Sequence, residues 1–323
     1  MRDASATTAV RPATARWMVV SRRWSWLPVL VVGAVLYELV RLTLVDTGDP
    51  LFVPTLILLG AAVVPVAFVA FVSGRRLSFG VSGSLVGLTA LLGGVVGVLV
   101  AGALEFEALR SFGDLPFIVV GLIEEMAKLL VPTAMLLLFR RNRRPADGLL
   151  LGVAAGAGFA ILETMGYALV ALVGSGGNLS LVNGLLFDRG LLSPAAHMAW
   201  TGLAGAALWS AATEHWRFRA VVRFVVVYLV VVVLHAGWDG TGGGWAHAGL
   251  AVASLGLLVG TVHRFATTDN ARRGRPAPGW PQPIGTLPVG QPGPQRPAMP
   301  VFPGAAARSG WPPAPPARPE GTT

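Results

Sequence analysis

Residues 115–139 read LPFIVVGLIEEMAKLLVPTAMLLLF, an apolar run whose only ionisable members are Glu124, Glu125 and Lys128. Its length suits one crossing of a bilayer core, which takes about 20 helical residues. Each charged side chain at such depth costs about 2.5–3.5 kcal/mol on insertion scales, so charges there mark functional centres. On a helix Lys128, the only lysine in the chain, lies three residues after Glu125 and four after Glu124, and both carboxylates flank the ammonium group. Two carboxylates and one lysine leave a net negative charge in apolar surroundings, which favours proton uptake or a bound cation. Pro132 removes the amide that would bond the Lys128 carbonyl, predicting a spare acceptor and a kink beside the cluster.

The rest of the chain has the same character. Hydrophobic residues make up 54% and charged residues 13%, and mean hydropathy is +0.65. A soluble domain carries about 25% charged residues, so the composition predicts an all-α polytopic membrane bundle. Eight spans are expected, at about 27–45, 51–72, 82–104, 115–139, 147–173, 193–213, 220–239 and 246–265. The first has no small-x-small cleavage site after it and reads as an anchor, not a removed signal peptide. There is no fixed-period repeat, but Gly152 and Gly156, four residues apart, permit close helix packing.

Arginine placement gives the orientation. Arg2, Arg11, Arg16, Arg22 and Arg23 precede the first span, Arg75 and Arg76 follow the second, and Arg140, Arg141, Arg143 and Arg144 follow the fourth. Arg217, Arg219 and Arg223 separate the sixth from the seventh. The alternate connections carry Asp46 and Asp49; Glu105, Glu107, Arg110 and Asp114; Asp188 and Arg189; and a glycine turn at 240–244. Arginine-rich connections all fall on one side, which places both termini in the cytoplasm of a multi-pass cell-membrane protein. The pI near 11.3 therefore reflects membrane orientation, and no nucleic-acid partner is expected. Absence of cysteine excludes disulfides, thiolate catalysis and cysteine-ligated metal. The chain divides into a cytoplasmic segment at 1–23, a transmembrane domain at 24–265 and a tail at 266–323. Fifteen of the 24 prolines lie in that tail, which predicts a disordered or polyproline-like cytoplasmic segment.

Four further ionisable residues in the spans stand out as candidates. Glu163 has no basic residue within one turn of its own segment, so its partner comes from another helix, or it is protonated. Ser193-Pro194 has the form of an N-cap followed by proline at the first helical position, which puts His197 in an opening turn where the helix dipole favours neutral imidazole. His235 and Asp239, four apart, share a helix face, and a carboxylate there can fix the imidazole tautomer. His215, His247 and His263 read as interface or loop residues without a role. At about 1.5 Å per residue, Glu124 and Glu163 lie roughly 14–15 Å, and His197 and His235 roughly 6–8 Å, from the extracytoplasmic face. One polar centre in the outer half of the bilayer is expected.

Glu124-Glu125-Met-Ala-Lys128, Phe159-Ala-Ile-Leu-Glu163, His197-Met-Ala-Trp200-Thr-Gly202 and His235-Ala-Gly-Trp238-Asp239, in that order, resemble the PrsW family of intramembrane proteases, distant relatives of the type II CAAX prenyl endopeptidases. The resemblance covers about residues 115–240. It departs at Thr164, where the family often shows asparagine. It implies an intramembrane endopeptidase that cleaves single-pass membrane proteins, with membrane-anchored anti-sigma factors as the known type of substrate. By similarity, Glu124 and Glu163 hold the attacking water, and Glu125 and Lys128 tune the cluster. His235 with Asp239 faces the developing charge, and His197 is a metal ligand or a second general base. Glu124, Glu163, His197 and His235 are the candidate ligands if Zn2+ takes part. No His-Glu-x-x-His motif is present, and a glutamate base without metal is the favoured expectation. The alternative class is a proton- or cation-coupled transporter, which also places carboxylates near the midplane. The crowding of polar residues into spans four to seven, rather than into two related halves, speaks against it.

Overall fold

The computed structural model describes residues 23–75, 77–139 and 144–273, and within them every regular element is helical. In chain order the α-helices are α1 (Trp26–Thr47), α2 (Val53–Ser73), α3 (Gly83–Phe112), α4 (Phe117–Leu138), α5 (Pro145–Gly174), α6 (Leu179–Leu192), α7 (His197–Thr213), α8 (Phe218–Gly240) and α9 (Gly244–Arg273). Short 3-10 turns precede α2 (Pro50–Phe52) and α7 (Ser193–Ala195). The N-terminal segment, most of the proline-rich tail, Arg76 and Arg140, Arg141 and Arg143 lie outside the described residues.

Six of these helices are long and apolar enough to cross a membrane: α1, α2 with its preceding turn, α3, α5, α8 and α9. The two other expected spans are the ones that carry much of the polar cluster. Charges at Glu124, Glu125 and Lys128 interrupt the apolarity of α4, and α7 has only 17 residues. Pro132 lies inside a continuous α4.

Local chemistry sets the helix ends. Asp49 accepts the Leu51 amide at 2.9 Å before α2, and Ser82 accepts the Leu85 amide at 3.2 Å at the start of α3. At the head of α5, Pro145 stands where its missing amide costs nothing. Buried Asp147 there receives the amides of Arg144 at 3.4 Å and Gly80 at 2.6 Å, tying the α2–α3 connection to α5. α3 continues to Phe112 because no helix breaker intervenes before Gly113, which closes it in the left-handed conformation (φ 75°). Glu105, Glu107 and Arg110 are therefore helical rather than in a loop.

The segment expected as a loop at 174–192 is also largely helical. Asn178 caps α6 through the Leu181 amide at 3.2 Å. Val182 and Leu186 pack into a cluster with Ile57, Ala61 and Ala168 of α2 and α5. With 14 residues α6 is too short to cross a bilayer.

The core lies around α5, which is wedged between two helices at backbone contact. A Cβ on Gly148 would come within 2.5 Å of the Gly205 carbonyl, one on Gly152 would overlap the Thr201 carbonyl, and one on Gly156 would come within 2.5 Å of the His197 carbonyl. On the α3 side, Gly94 and Gly158 approach each other's backbones. Van der Waals contact of this kind is what holds helices together where no water is expelled. Leu149, Val153, Trp200 and Trp209 fill the interior beside this seam.

Candidate active site

The α5–α7 seam places the first half of the site. Gly156 and Glu163 are seven residues apart on α5, two turns on one face, so the face that touches the His197 backbone also aims Glu163 at that end of α7. On the other side Gly121 of α4 lets α8 close in. A Cβ there would meet the Val232 carbonyl at 3.1 Å and His235 Cβ at 3.3 Å, and this approach sets the His235 ring against Glu124 and Glu125.

Lys128 sits at the centre, fully buried. Its Nζ contacts Glu124 Oε2 at 3.0 Å, Glu125 Oε1 at 2.8 Å and His197 Nδ1 at 2.8 Å. An ammonium has three protons and no acceptor, so all three are used and His197 Nδ1 must accept. The imidazole proton then resides on Nε2, which faces Glu163 Oε2 at 3.0 Å. Phe159 closes one side of the cluster, with the Lys128 ammonium 4.2 Å from its ring centroid.

The glutamates are not equivalent. Glu125 is wholly buried and saturated: Oε1 takes Lys128 and His235 Nδ1 (2.9 Å), and Oε2 takes the Thr201 hydroxyl (3.3 Å). Glu124 accepts from Lys128 through Oε2, and His235 Nε2 lies 3.5 Å from that oxygen. Glu163 Oε2 lies 2.8 Å from Arg189 of α6 and 3.0 Å from His197. Both are ion-pair distances, but neither is aligned as a hydrogen bond, so this oxygen retains capacity to accept one. The partner of Glu163 thus comes from another element, Arg189. That guanidinium also donates to the Thr164 hydroxyl at 3.3 Å and lies 4.1 Å from the Tyr167 ring centroid.

His235 completes the network. Its Nε2 lies 3.3 Å from Asp239 Oδ2, and its ring stacks on Trp200 at 4.8 Å. Trp200 is held by its own indole N–H, which donates to Ser254 at 2.9 Å. All seven residues expected at the site (Glu124, Glu125, Lys128, Glu163, His197, His235 and Asp239) therefore join one network drawn from α4, α5, α7 and α8. A cavity of about 510 Å³ borders it, lined among others by Thr164, Arg189, Ser193, His197, Trp238 and His247.

One expectation is corrected. Ser193 does not cap α7. A 3-10 turn intervenes, α7 starts at His197 after Ala196, and the Ser193 hydroxyl instead donates to the Arg189 carbonyl at 2.6 Å, satisfying the end of α6. His197 still occupies the opening turn.

Other residues escaped the sequence reading. Arg189 and Asp188 were assigned to a loop, and Thr201 and Trp200 had only motif membership. His247, given no role, lies in the cavity with Nε2 3.0 Å from the Trp238 carbonyl. Glu105 lies on α3 with one carboxylate oxygen buried and without a hydrogen-bond partner. Asn178 as a helix cap, with apolar residues at Val182 and Leu186, was the available signal for α6 and hence for Arg189.

A family model described as PrsW family intramembrane metalloprotease matches residues 81–266, more than half of the chain. The chain belongs to the PrsW family. It is a multi-pass membrane protein and a peptidase that acts by intramembrane proteolysis. The transporter alternative gives way to this membership. No curated protein and no solved structure matches the chain.

The family description implies a metal, and the residues present fit one. Glu124, His197 and His235 each bring a ligand atom within 4.8 Å of the others, and two imidazoles with one carboxylate form a donor set of catalytic zinc sites. Charge agrees. Four carboxylates (Glu124, Glu125, Glu163, Asp239) against Lys128 and Arg189 leave two negative charges with neutral imidazoles, which one divalent cation balances. Glu163, the fourth candidate ligand, stands outside this trio, next to His197 Nε2.

Proposed function

We propose that this PrsW peptidase cleaves single-pass membrane proteins, with membrane-anchored anti-sigma factors as the type of substrate, at the centre formed by Glu124, Glu163, His197 and His235. The reading rests on one observation: three carboxylates, two imidazoles and the only lysine of the chain converge from four helices into one buried network beside a cavity. Its volume falls within the range of small-molecule and substrate sites. We take α4 and α7 as crossings too, giving eight, with both termini cytoplasmic and the centre nearer the extracytoplasmic face. The arginine distribution supports that orientation.

In this mechanism Glu163 is the general base. Its Oε2 is close to two donors but aligned with neither, so a water can donate to it. Glu124 holds the same water from the opposite side. Glu125 is too fully bonded to take a proton and acts as the anchor that keeps Lys128, His235 and Thr201 in register. His197 turns its Nε2 proton toward Glu163 and fixes that carboxylate in place, while Glu163 passes the proton it takes from water on to the leaving amine. In the metal-free form His235 acts as an imidazolium, with Nδ1–H on Glu125 and Nε2–H, beside Asp239, turned to the charge that grows on the carbonyl oxygen. If zinc takes part, Glu124, His197 and His235 would hold it, and it would supply Lewis acidity for activating water. Glu163 is the base with or without it, and Lys128 contacts two of the same ligands, which supports the metal-free form.

The test is release of the ectodomain of a co-expressed membrane-anchored regulator. Glu124→Ala and Glu125→Ala should each abolish release while the protein still accumulates in the membrane. Normal cutting by both variants overturns the site assignment. Zinc content of the purified protein decides the metal question: one ion per chain, lost in His197→Ala, establishes the metal form, and full activity in chelator establishes the other.

A further inference from the structure

At the end of the bundle opposite the peptidase centre, the segment after α2, the residues just before α1 and the second half of α9 enclose a second cavity of about 410 Å³. Arg23 and Arg75 make its polar lining cationic, the His263 imidazole adds a further polar group, and Leu77, Val259 and Val262 give it an apolar wall. Arg75 is not a free surface arginine. Its Nε donates to the Phe71 carbonyl at 3.1 Å, an Nη reaches the Arg23 carbonyl at 3.4 Å, and its guanidinium lies 3.8 Å from the Phe71 ring centroid. Among the described residues no carboxylate lies within ion-pair range of Arg75 or Arg23. Burial, and then the charge of Arg23, hold the Arg75 guanidinium below its ordinary pKa. A half-buried, immobilised cation facing a second cation lacks the anion that would relieve both.

We infer that this cavity binds the phosphate headgroup of an anionic phospholipid. Trp26 lies edge-on to Phe71 at 5.9 Å, and tryptophans mark the headgroup level of a membrane. Beyond that level α1 exposes Leu27 and Val31, and α9 exposes Val259, which also lines the cavity, giving acyl chains apolar surface to lie against. A guanidinium fork matches phosphate oxygens in shape and charge. The ligand that suits a cationic end and an apolar wall is thus an anionic amphiphile rather than a soluble acid. Nothing in this inference depends on the peptidase mechanism.

The test uses the full-length protein purified in neutral detergent, with native mass spectrometry scoring bound phosphatidylglycerol against phosphatidylcholine of the same chains. At about 1 kcal/mol per arginine near a membrane surface, the pair favours the anionic lipid by about thirtyfold. Arg23→Gln/Arg75→Gln should lose that preference. Arg217→Gln/Arg219→Gln, which removes two exposed arginines of another connection, should keep it. The single variant Arg23→Gln, whose side chain is exposed, carries the same test without touching the Arg75 packing and should lose about fivefold. An unchanged preference in both Arg23 variants overturns the site, and an equal loss in the Arg217/Arg219 control shows diffuse attraction in its place. Competition by millimolar inorganic phosphate as effective as that by lipid assigns the cavity to free phosphate and overturns the lipid reading.

Discussion

α5 and α1 have similar hydropathy and opposite fates. Of the most apolar stretch of α5, 72% is buried inside the protein; of α1, 6%. The difference lies in small residues. Gly148, Gly152, Gly156 and Gly158 let α5 meet α3 and α7 at backbone distance, whereas Val31, Val32, Val35 and Leu39 of α1 are exposed and face outward. Hydrophobicity puts a segment in the membrane, but only close packing fixes it to within the fraction of an ångström that a catalytic group requires. The polar centre stands on the close-packed part, and the periphery is left to lipid.

Substitutions can break this contrast. The largest effect is expected at the centre itself: Glu163→Gln, which keeps shape but cannot take a proton, should lower the cleavage rate about 10²–10⁴-fold, the usual worth of a general base. Next comes Lys128→Met. It strands Glu124 and Glu125 without their shared cation, and loss of one partner of a buried pair costs about 3–5 kcal/mol, which thermal melting in detergent will register. Gly156→Leu should follow, since its side chain has no room beside the His197 carbonyl. Overpacking costs about 1–3 kcal/mol, and activity should fall with stability because the seam positions His197. Arg189→Gln removes the cation beside Glu163 and should reduce turnover about 10–100-fold, as for other residues that orient a catalytic group, with the melting temperature little changed. The smallest effect belongs to α1: Val32→Leu, on its exposed face, should alter stability by no more than about 0.5 kcal/mol. A Val32 effect equal to that of Gly156 would erase the distinction between seam and periphery.

The same contrast explains what the sequence disclosed. Ionisable residues inside apolar runs are conspicuous because they are costly, so Glu124, Glu125, Lys128, Glu163, His197, His235 and Asp239 could all be named before any coordinates. Counting residues along alternating helices predicted that Glu124, Glu163, His197 and His235 would meet in one centre, and the structure brings them into one network. Arg189 stayed hidden because an arginine in a polar connection costs nothing, and only the packing of Val182 and Leu186 reveals that its helix folds back over Glu163. Ser193-Pro194 carried a capping signature, but the hydroxyl satisfied the end of α6 instead. The unequal standing of the two adjacent glutamates was equally illegible. It depends on Thr201 and His235 saturating Glu125 from two other helices, contacts that no local spacing encodes.

The most direct test is the initial rate at which purified protein, reconstituted in liposomes, cleaves a single-pass substrate within its transmembrane segment. The account predicts measurable cleavage by the parent and a rate lower by about a hundredfold or more for Glu124→Gln and Glu163→Gln, with all three melting at the same temperature to within a few degrees. Parental rates from either folded variant would contradict it.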